Sequence, residues 1–435
     1  MKWNWQKSAW PRFSWDASRL ARLEAQFLQE AGVFVGAHQH LETDVQEVLI
    51  VELLSAEALT TSEIEGEILD RASVQSSLRK QLGLASDRRR AKPAERGIAE
   101  LMIDLYRGFP QPLSHQVLFR WHQMLMRGHS HLVAGQYRTG NEPMQVISGA
   151  IHQPKVHFEA PPSAAVPAEM DRFVAWFHQT ASGPLPALTR AGLAHLYFVS
   201  VHPFEDGNGR LGRAIVDMTL AQDMDAAVRV FGMARQTMRT RATYYDALKL
   251  AQRTNPGRTS DGAMDVTPWV QWFVQAFTQG CITSQAVVQQ ALEKAGFRQR
   301  AAACGVNARQ TRVLNRLLEA FDSTQGGGFL GGLTSDRYCK LTGTSKATTT
   351  RDLADLAGKG LLRIGGVGKA TRYAIAIDQW VSARPGPAAS ARAWRSRTSV
   401  GGGTGWTAGK ACCRRPPMRT ASNNCRAGLR CALLR

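Results

Sequence analysis

Acidic residues are scarce in this sequence: 35 Asp and Glu stand against 54 Lys and Arg, a net charge of +19 over 435 residues. The deficit is local. From Arg384 to Arg435 there are 11 basic residues and no acid, so the rest of the chain holds 43 basic and 35 acidic groups. The overall charge therefore overstates how basic the folded part is, and it does not by itself argue for a nucleic-acid protein. Cysteine is thin as well. Only Cys281, Cys304 and Cys339 precede the basic tail, which holds Cys412, Cys413, Cys425 and Cys431. Three scattered thiols argue against a disulfide framework, and no cysteines and histidines pair at metal-ligand spacing before the tail, which argues against structural zinc. No apolar run approaches the ~18–20 residues of a membrane span, so no membrane partner is expected. Met1-Lys2-Trp3-Asn4-Trp5-Gln6-Lys7 has no apolar stretch of a secretory leader, and the expected compartment is the cytoplasm.

What is present reads as an ordinary globular chain of two or three domains, 44% hydrophobic and 20% charged. Residues 1–20 are dense in tryptophan (Trp3, Trp5, Trp10 and Trp15). Apolar residues at helical spacing then recur through Leu20–Leu28, Val45–Leu59, Glu95–Tyr106, His115–Met126, Ala168–Thr180, Leu188–Val201, Arg210–Gln222, Arg235–Gln252, Thr267–Gly280 and Ile282–Lys294. Gly135–Pro162 alternates instead, with glycine and proline punctuation, and predicts a β-hairpin projecting from a helical body. A second domain is expected from about Arg298, with helices at Arg309–Phe321, Thr334–Thr342 and Lys346–Lys359 and short strands at Leu361–Ile364 and Thr371–Ile375. Asp87–Pro93 reads as an exposed loop. The expected organisation is an N-terminal helical module at 1–93, a core at 94–296, a small domain at 297–383 and a low-complexity tail at 384–435, disordered or not natural coding sequence.

One stretch concentrates chemistry: His202-Pro203-Phe204-Glu205-Asp206-Gly207-Asn208-Gly209-Arg210-Leu211-Gly212-Arg213. It lies between two helical segments. Gly-Asn-Gly tolerates positive φ, and successive amides there, with the following helix N-terminus, make a nest for anions. Arg210 and Arg213, three apart, are expected on one helix face as a double phosphate clamp. Asp206 is a hard oxygen ligand suited to Mg²⁺, and His202 can take a proton near neutral pH. Phe204 is expected to pin the loop into the core. The set suggests phosphoryl or nucleotidyl transfer.

The stretch resembles the signature of the Fic family, His-x-Phe-x-(Asp/Glu)-Gly-Asn-(Gly/Lys)-Arg-x-x-Arg, at every specified position. Ala194–Val199, Gly135–Thr139 and Tyr244–Leu248 resemble segments around that signature. The resemblance implies a mainly α fold with a hairpin flap, and transfer of AMP from Mg·ATP to a Ser, Thr or Tyr hydroxyl of a protein. It implies His202 as general base, Asp206 as metal ligand, and Gly207, Asn208, Gly209, Arg210, Leu211, Gly212 and Arg213 as the nucleotide-binding run. Tyr244 and Gln252 would lie near the nucleoside. Val146-Ile147-Ser148-Gly149 would hold the target in strand register. Upstream, Thr61-Ser62-Glu63-Ile64-Glu65-Gly66 resembles the family's inhibitory motif, (Ser/Thr)-x-x-x-Glu-(Gly/Asn), so Thr61, Glu65 and Gly66 are expected to hold Arg213 away from the γ-phosphate. The N-terminal segment resembles a module found in a subset of bacterial members, and members of the family often form dimers, so a homodimer is among the expectations.

Leu330–Ile375 resembles a winged helix-turn-helix, with Lys346, Thr348, Thr349, Thr350 and Arg351 at the start of the candidate recognition helix and Lys369 and Arg372 in the wing. DNA is a candidate partner of residues 330–375, and protein contact or dimerisation is the other use of such a module. Three functional readings stay open at this point: a protein adenylyltransferase restrained by Glu65, a DNA-binding regulator that senses nucleotide through the same loop, and a related enzyme that removes AMP or transfers another group.

Overall fold

The computed structural model describes residues 3–39, 43–84, 90–129, 132–150, 153–181, 183–224, 233–253, 263–319 and 332–377. The basic tail and the Gly326–Gly328 break lie outside them, as do Asp87–Arg89 of the expected Asp87–Pro93 loop and most of the turn expected at Phe231–Met233. The chain divides into two compact units, the first running through Ala295 and the second starting at Gly296. The boundary expected between residues 93 and 94 falls inside the first.

The first unit begins with a 3₁₀ turn at Asn4–Gln6 and strand β1 (Phe13–Ser14), followed by helices α1 (Ala21–Gln39), α2 (Thr43–Ile64), α3 (Arg71–Leu82), α4 (Pro93–Gly108) and α5 (His115–Leu125). The hairpin β2 (Gln145–Ala150) and β3 (Gln153–Glu159) precedes α6 (Val166–Ala181), α7 (Ala187–Val201), α8 (Asn208–Asp223), α9 (Met233–Arg239) and α10 (Arg241–Arg253). Strand β4 (Met264–Asp265) pairs in parallel with β1, and α11 (Thr267–Ala303) follows. Local rules set many of these ends. Asp70 and Ser114 cap α3 and α5 by accepting from the amides of Ser73 and Val117, and Pro93 opens α4, where its missing N–H costs nothing.

Helices α7 and α8 form the centre. Every residue of α7 from Leu188 to Val201 is buried, as its all-round apolar sequence requires. One apolar cluster (Leu101, Trp121, Phe173, Tyr197, Phe204, Ile215) and another (Phe27, Leu53, Leu196, Val216, Trp269, Phe273) both draw on the pair. The helices meet closely at Gly212, where a Cβ would stand 2.9 Å from Val199 Cγ1. The hairpin has the expected antiparallel register, Val146 opposite Phe158 and Ile147 opposite Val156, with a bulge between Val146 and Ile147.

Two helical expectations change. The helix expected over Arg235–Gln252 is two, α9 and α10, divided at Thr240. There the hydroxyl of Thr240 bonds the Gln236 carbonyl and the hydroxyl of Thr243 bonds the Thr240 carbonyl, each shared with the backbone amide four residues on. Conversely, Gly280 does not end a helix. A Cβ there would meet only Gln236 Cβ at 3.8 Å, and α11 runs on through it.

In the second unit, α12 (Ala308–Glu319) precedes α13 (Ser335–Thr342), a left-handed turn at Gly343, and α14 (Lys346–Gly358). The antiparallel hairpin β5 (Leu362–Gly365) and β6 (Arg372–Ile375) follows, with Leu333 bridged to Tyr373. Val313, Leu317, Tyr338, Leu353, Leu356 and Leu361 form its core. Thr349, expected at the ligand face of α14, is fully buried and its hydroxyl bonds Cys339 Sγ and Thr344 Oγ1.

Candidate active site

The loop between α7 and α8 is fixed by its own side chains and by one arginine. His202 ends α7 in the left-handed region at φ 51°, the one non-glycine residue with positive φ among the described residues. Arg138, 4% exposed, donates to the carbonyls of His202 (2.8 Å) and Pro161 and to Ser163 Oγ, while its amide donates to the Pro203 carbonyl at 3.0 Å. Asn208 braces the loop from inside: its amide group accepts from Phe204 N at 3.0 Å and donates to Phe204 O at 2.8 Å. Phe204 is fully buried and stacks on His122 at 4.2 Å. Gly207 has φ 79°, and a Cβ there would lie 2.9 Å from Leu125 Cδ2 and Met126 Cε, so both backbone and packing require glycine.

The His202 ring is neutral near pH 7. Burial, then the neighbouring Arg138 charge, pull its pKa down to about 4. Nδ1 lies 3.3 Å from the Val199 carbonyl. A proton on Nδ1 points there and leaves Nε2 as the basic nitrogen.

His202 lines a cavity of about 310 Å³ together with Asp206, Gly207, Asn208, Gly209 and Arg213 and with Tyr244, Tyr245, Lys249 and Gln252 of α10. Val146, His157 and Phe158 of the hairpin close a side. Tyr244 is 4% exposed and its hydroxyl meets His195 Nε2 at 3.0 Å; Gln252 is 5% exposed. Ser148 does not line the cavity but bonds His157 Nε2 at 2.6 Å, and Ile147 is buried in the hairpin. Gly149 pairs with Pro154.

Arg213 is occupied. Its Nε donates to Thr61 Oγ1 at 2.6 Å, and Nη2 donates to the Thr61 carbonyl at 3.1 Å and to Glu65 Oε1 at 2.7 Å. Burial opposes the Glu65 charge, but Arg213 wins and holds the Glu65 pKa below its usual value. The carboxylate also sits against the first turn of α8: a Cβ on Gly209 would lie 2.3 Å from Glu65 Oε1. Gly66 makes this possible. At φ 85° it ends α2, with its own amide on the Glu63 carbonyl (2.9 Å) and the Glu67 amide reaching back to the Ser62 carbonyl (3.0 Å). That reversal delivers Glu67 to Arg210, Oε2 to Nη1, at 2.8 Å.

The double clamp expected of Arg210 and Arg213 is not the arrangement found. At ~100° per residue, Gly209 and Arg213, four apart, share the cavity face. Arg210 turns aside to Glu67, Leu211 is fully buried in the core, and Gly212 packs on α7; none of the three lines the cavity. Asn208 lines it, yet both ends of its side-chain amide are spent on Phe204. Sequence reasoning missed Glu67, Arg138, Tyr245 and Lys249. Helical spacing from Tyr244 and Gln252 could have found Lys249, and Arg138 and Tyr245 lie within Gly135–Thr139 and Tyr244–Leu248, which resemble family segments. Among the described residues no cluster of three His, Cys, Asp or Glu could hold a metal alone, and no helix is long and apolar enough to cross a membrane.

Residues 112–220 match the model of the Fic/DOC family, and residues 3–84 match a domain of unknown function, DUF4172. The protein adenylyltransferase Fic of Drosophila melanogaster is 35% identical over 103 residues, 24% of this chain and 18% of that protein. Its Drosophila ananassae counterpart is 34% identical over 103 residues. The chain thus spans about a fifth of the length of these relatives. A Fic family protein from Desulfovibrio desulfuricans G20 is 19% identical, covering 82% of this chain and 95% of that one, at TM-score 0.46. Fic-1 from C. elegans is 17% identical, covering 63% and 76%, at TM-score 0.44.

Proposed function

We propose that the chain is a Fic family protein, a protein adenylyltransferase whose N-terminal helix end restrains it. The observation that carries this reading is the Glu65 carboxylate, seated against Gly209 and Arg213 in the cavity that His202 lines. An anion already occupies the first turn of α8, as a phosphate would.

The residues fit Mg·ATP. Glycine at 209 leaves room that a Cβ would fill, backbone amides at 207–209 start a helix, and Asp206 supplies a hard oxygen on the same wall. Bound Mg²⁺ would neutralise phosphate charge. The chain does the rest. With Glu65 withdrawn, Arg213 binds the γ-phosphate and the α8 amides hold the oxygens before it. The hairpin presents the acceptor hydroxyl, and His202 Nε2 takes its proton as the oxygen attacks the α-phosphorus; pyrophosphate leaves with the electron pair of the broken P–O bond. Tyr244, Tyr245 and Gln252 border the nucleoside end.

Label transfer from α-³²P-ATP with Mg²⁺, with γ-³²P-ATP as control, tests the reading on wild type, Glu65→Gly and Glu65→Gly/His202→Ala. Transfer of α-label by Glu65→Gly alone supports it. Absence of transfer from every variant that still binds ATP would leave nucleotide sensing as the better account. A second reading has its own observation: exposed Lys346, Thr350 and Arg351 begin α14, the second helix of the α13–Gly343–α14 arrangement, with the β5–β6 hairpin after it. That set suits phosphate contacts of DNA, which electrophoretic retardation by the full chain with duplex DNA checks.

A further inference from the structure

The match at residues 3–84 carries no assigned role, and Glu65 accounts for only its C-terminal part. The opposite end touches the site too. Asn4 is fully buried, and its Nδ2 donates to Ser200 Oγ at 2.9 Å, two residues before His202. Trp5 Nε1 donates to the Glu159 carbonyl of β3 at 2.7 Å. Trp3 packs edge-on against Phe158 with ring centroids 5.4 Å apart. The guanidinium of Arg253, next to Gln252 at the end of α10, lies 5.3 Å from the Trp3 ring and donates to the carbonyls of Val156 and His157, both at 3.2 Å. The turn that carries these residues is closed on itself: Trp3 N donates to Gln6 Oε1 and Trp5 N to Asn4 Oδ1, both at 2.9 Å.

These contacts converge on one strand. β3 is held through three carbonyls and one ring by groups from the N-terminal turn and α10, and the same turn is bonded to the last turn of α7. An isolated two-stranded hairpin has marginal stability in water. Here β3 and the last turn of α7, which ends at His202, are tied to the same N-terminal turn. We infer that Trp3, Asn4 and Trp5, with Arg253, are positioning residues for the protein acceptor: they fix the distance between the hairpin, where the target segment docks, and the base that deprotonates it. This role rests on the adenylyltransferase reading and adds to it a function for the N-terminal segment separate from inhibition. None of the four is needed to hold phosphates.

The test uses the full chain in the Glu65→Gly background, with Trp5→Phe, which removes one N–H and keeps a ring, Trp3→Ala, Trp3→Phe and Arg253→Ala. Hydrogen exchange of the amides at 145–148 and 155–159 reads the hairpin without reference to activity. We expect exchange there to rise at least tenfold in Trp3→Ala and Arg253→Ala and several-fold in Trp5→Phe. The apparent KM for an acceptor protein should rise in step, nucleotide Kd should stay within twofold, and Trp3→Phe should restore most of both. Unchanged exchange of the hairpin in Trp3→Ala and Arg253→Ala overturns the inference, as does a nucleotide Kd that weakens in parallel with the acceptor KM. If the parent transfers no label, the adenylyltransferase reading fails, while the exchange arm still reports on the N-terminal turn.

Discussion

On the adenylyltransferase reading proposed above, the bond between Glu65 and Arg213 would set the size of the restraint. Arg213 is 3% exposed and Glu65 30% exposed, so the pair lies between a surface ion pair and a fully buried one. A charge-assisted hydrogen bond in such a place is worth about 2–3 kcal/mol, and a phosphate that competes for Arg213 must displace it. At about 1.4 kcal/mol per tenfold, Glu65→Gly should raise AMP transfer at subsaturating ATP by about 30- to 150-fold. Glu65→Gln keeps the shape without the charge and should release less, about tenfold. The mutant also leaves a buried guanidinium with Thr61 alone. Without nucleotide it should lose about 1–3 kcal/mol of stability, which saturating Mg·ATP restores. Quantified α-label transfer against ATP concentration, with melting curves with and without nucleotide, measures both. A rate within threefold of wild type, with ATP binding intact, would refute the reasoning.

The other predictions follow from neighbouring contacts. Glu67→Gln breaks a pair in which Glu67 is 26% exposed, so it should add a smaller gain of about two- to fivefold, multiplying with Glu65→Gly in the same transfer assay. Arg138→Ala orphans the carbonyls of His202 and Pro161 and should cost at least about 3 kcal/mol in denaturant unfolding and abolish transfer. His122, His195 and His202 each have pKa values lowered to about 4 by burial first, so the unfolded chain binds protons before the native one as pH falls. Their stability is complete above pH 6.5 and is lost between about 6.5 and 4, at up to about 1.4 kcal/mol per pH unit for each, as acid titration of unfolding would show. Transfer by Glu65→Gly should stay flat from pH 8 to 6 instead of falling near 6.5, because His202 remains unprotonated.

Helix existence was legible wherever a single amphipathic or apolar period ran unbroken, as in α4, α5, α7 and α8. Boundaries failed at Thr240, where no glycine or proline marks the division of α9 from α10, and at Gly280, where a glycine found open space and ended nothing. The β1–β4 pair was invisible because two residues carry no period. In the site, residue types and loop order could be read directly, since His202, Asp206, Gly207 and Gly209 line the cavity in the order in which they stand in sequence. Directions could not. Arg210 and Arg213 look equivalent on paper, and only the start of α8 at Asn208 decides which one faces the cavity. Glu67 was unreadable for a similar reason: its reach to Arg210 follows from the chain reversal at Gly66, not from any spacing to Arg210. Arg138 acts 64 residues from His202 in sequence, through backbone carbonyls that leave no trace in side-chain identity.

The Gly66 reversal places two carboxylates, Glu65 and Glu67, on two arginines of one helix, so the end of α2 imitates a polyphosphate built from the chain itself. A competitor carried in cis has a fixed effective concentration. Dilution does not weaken it, and making more protein does not outrun it. On the adenylyltransferase reading proposed above, what varies is nucleotide, and the strength of two ion pairs would set the ATP concentration at which activity begins.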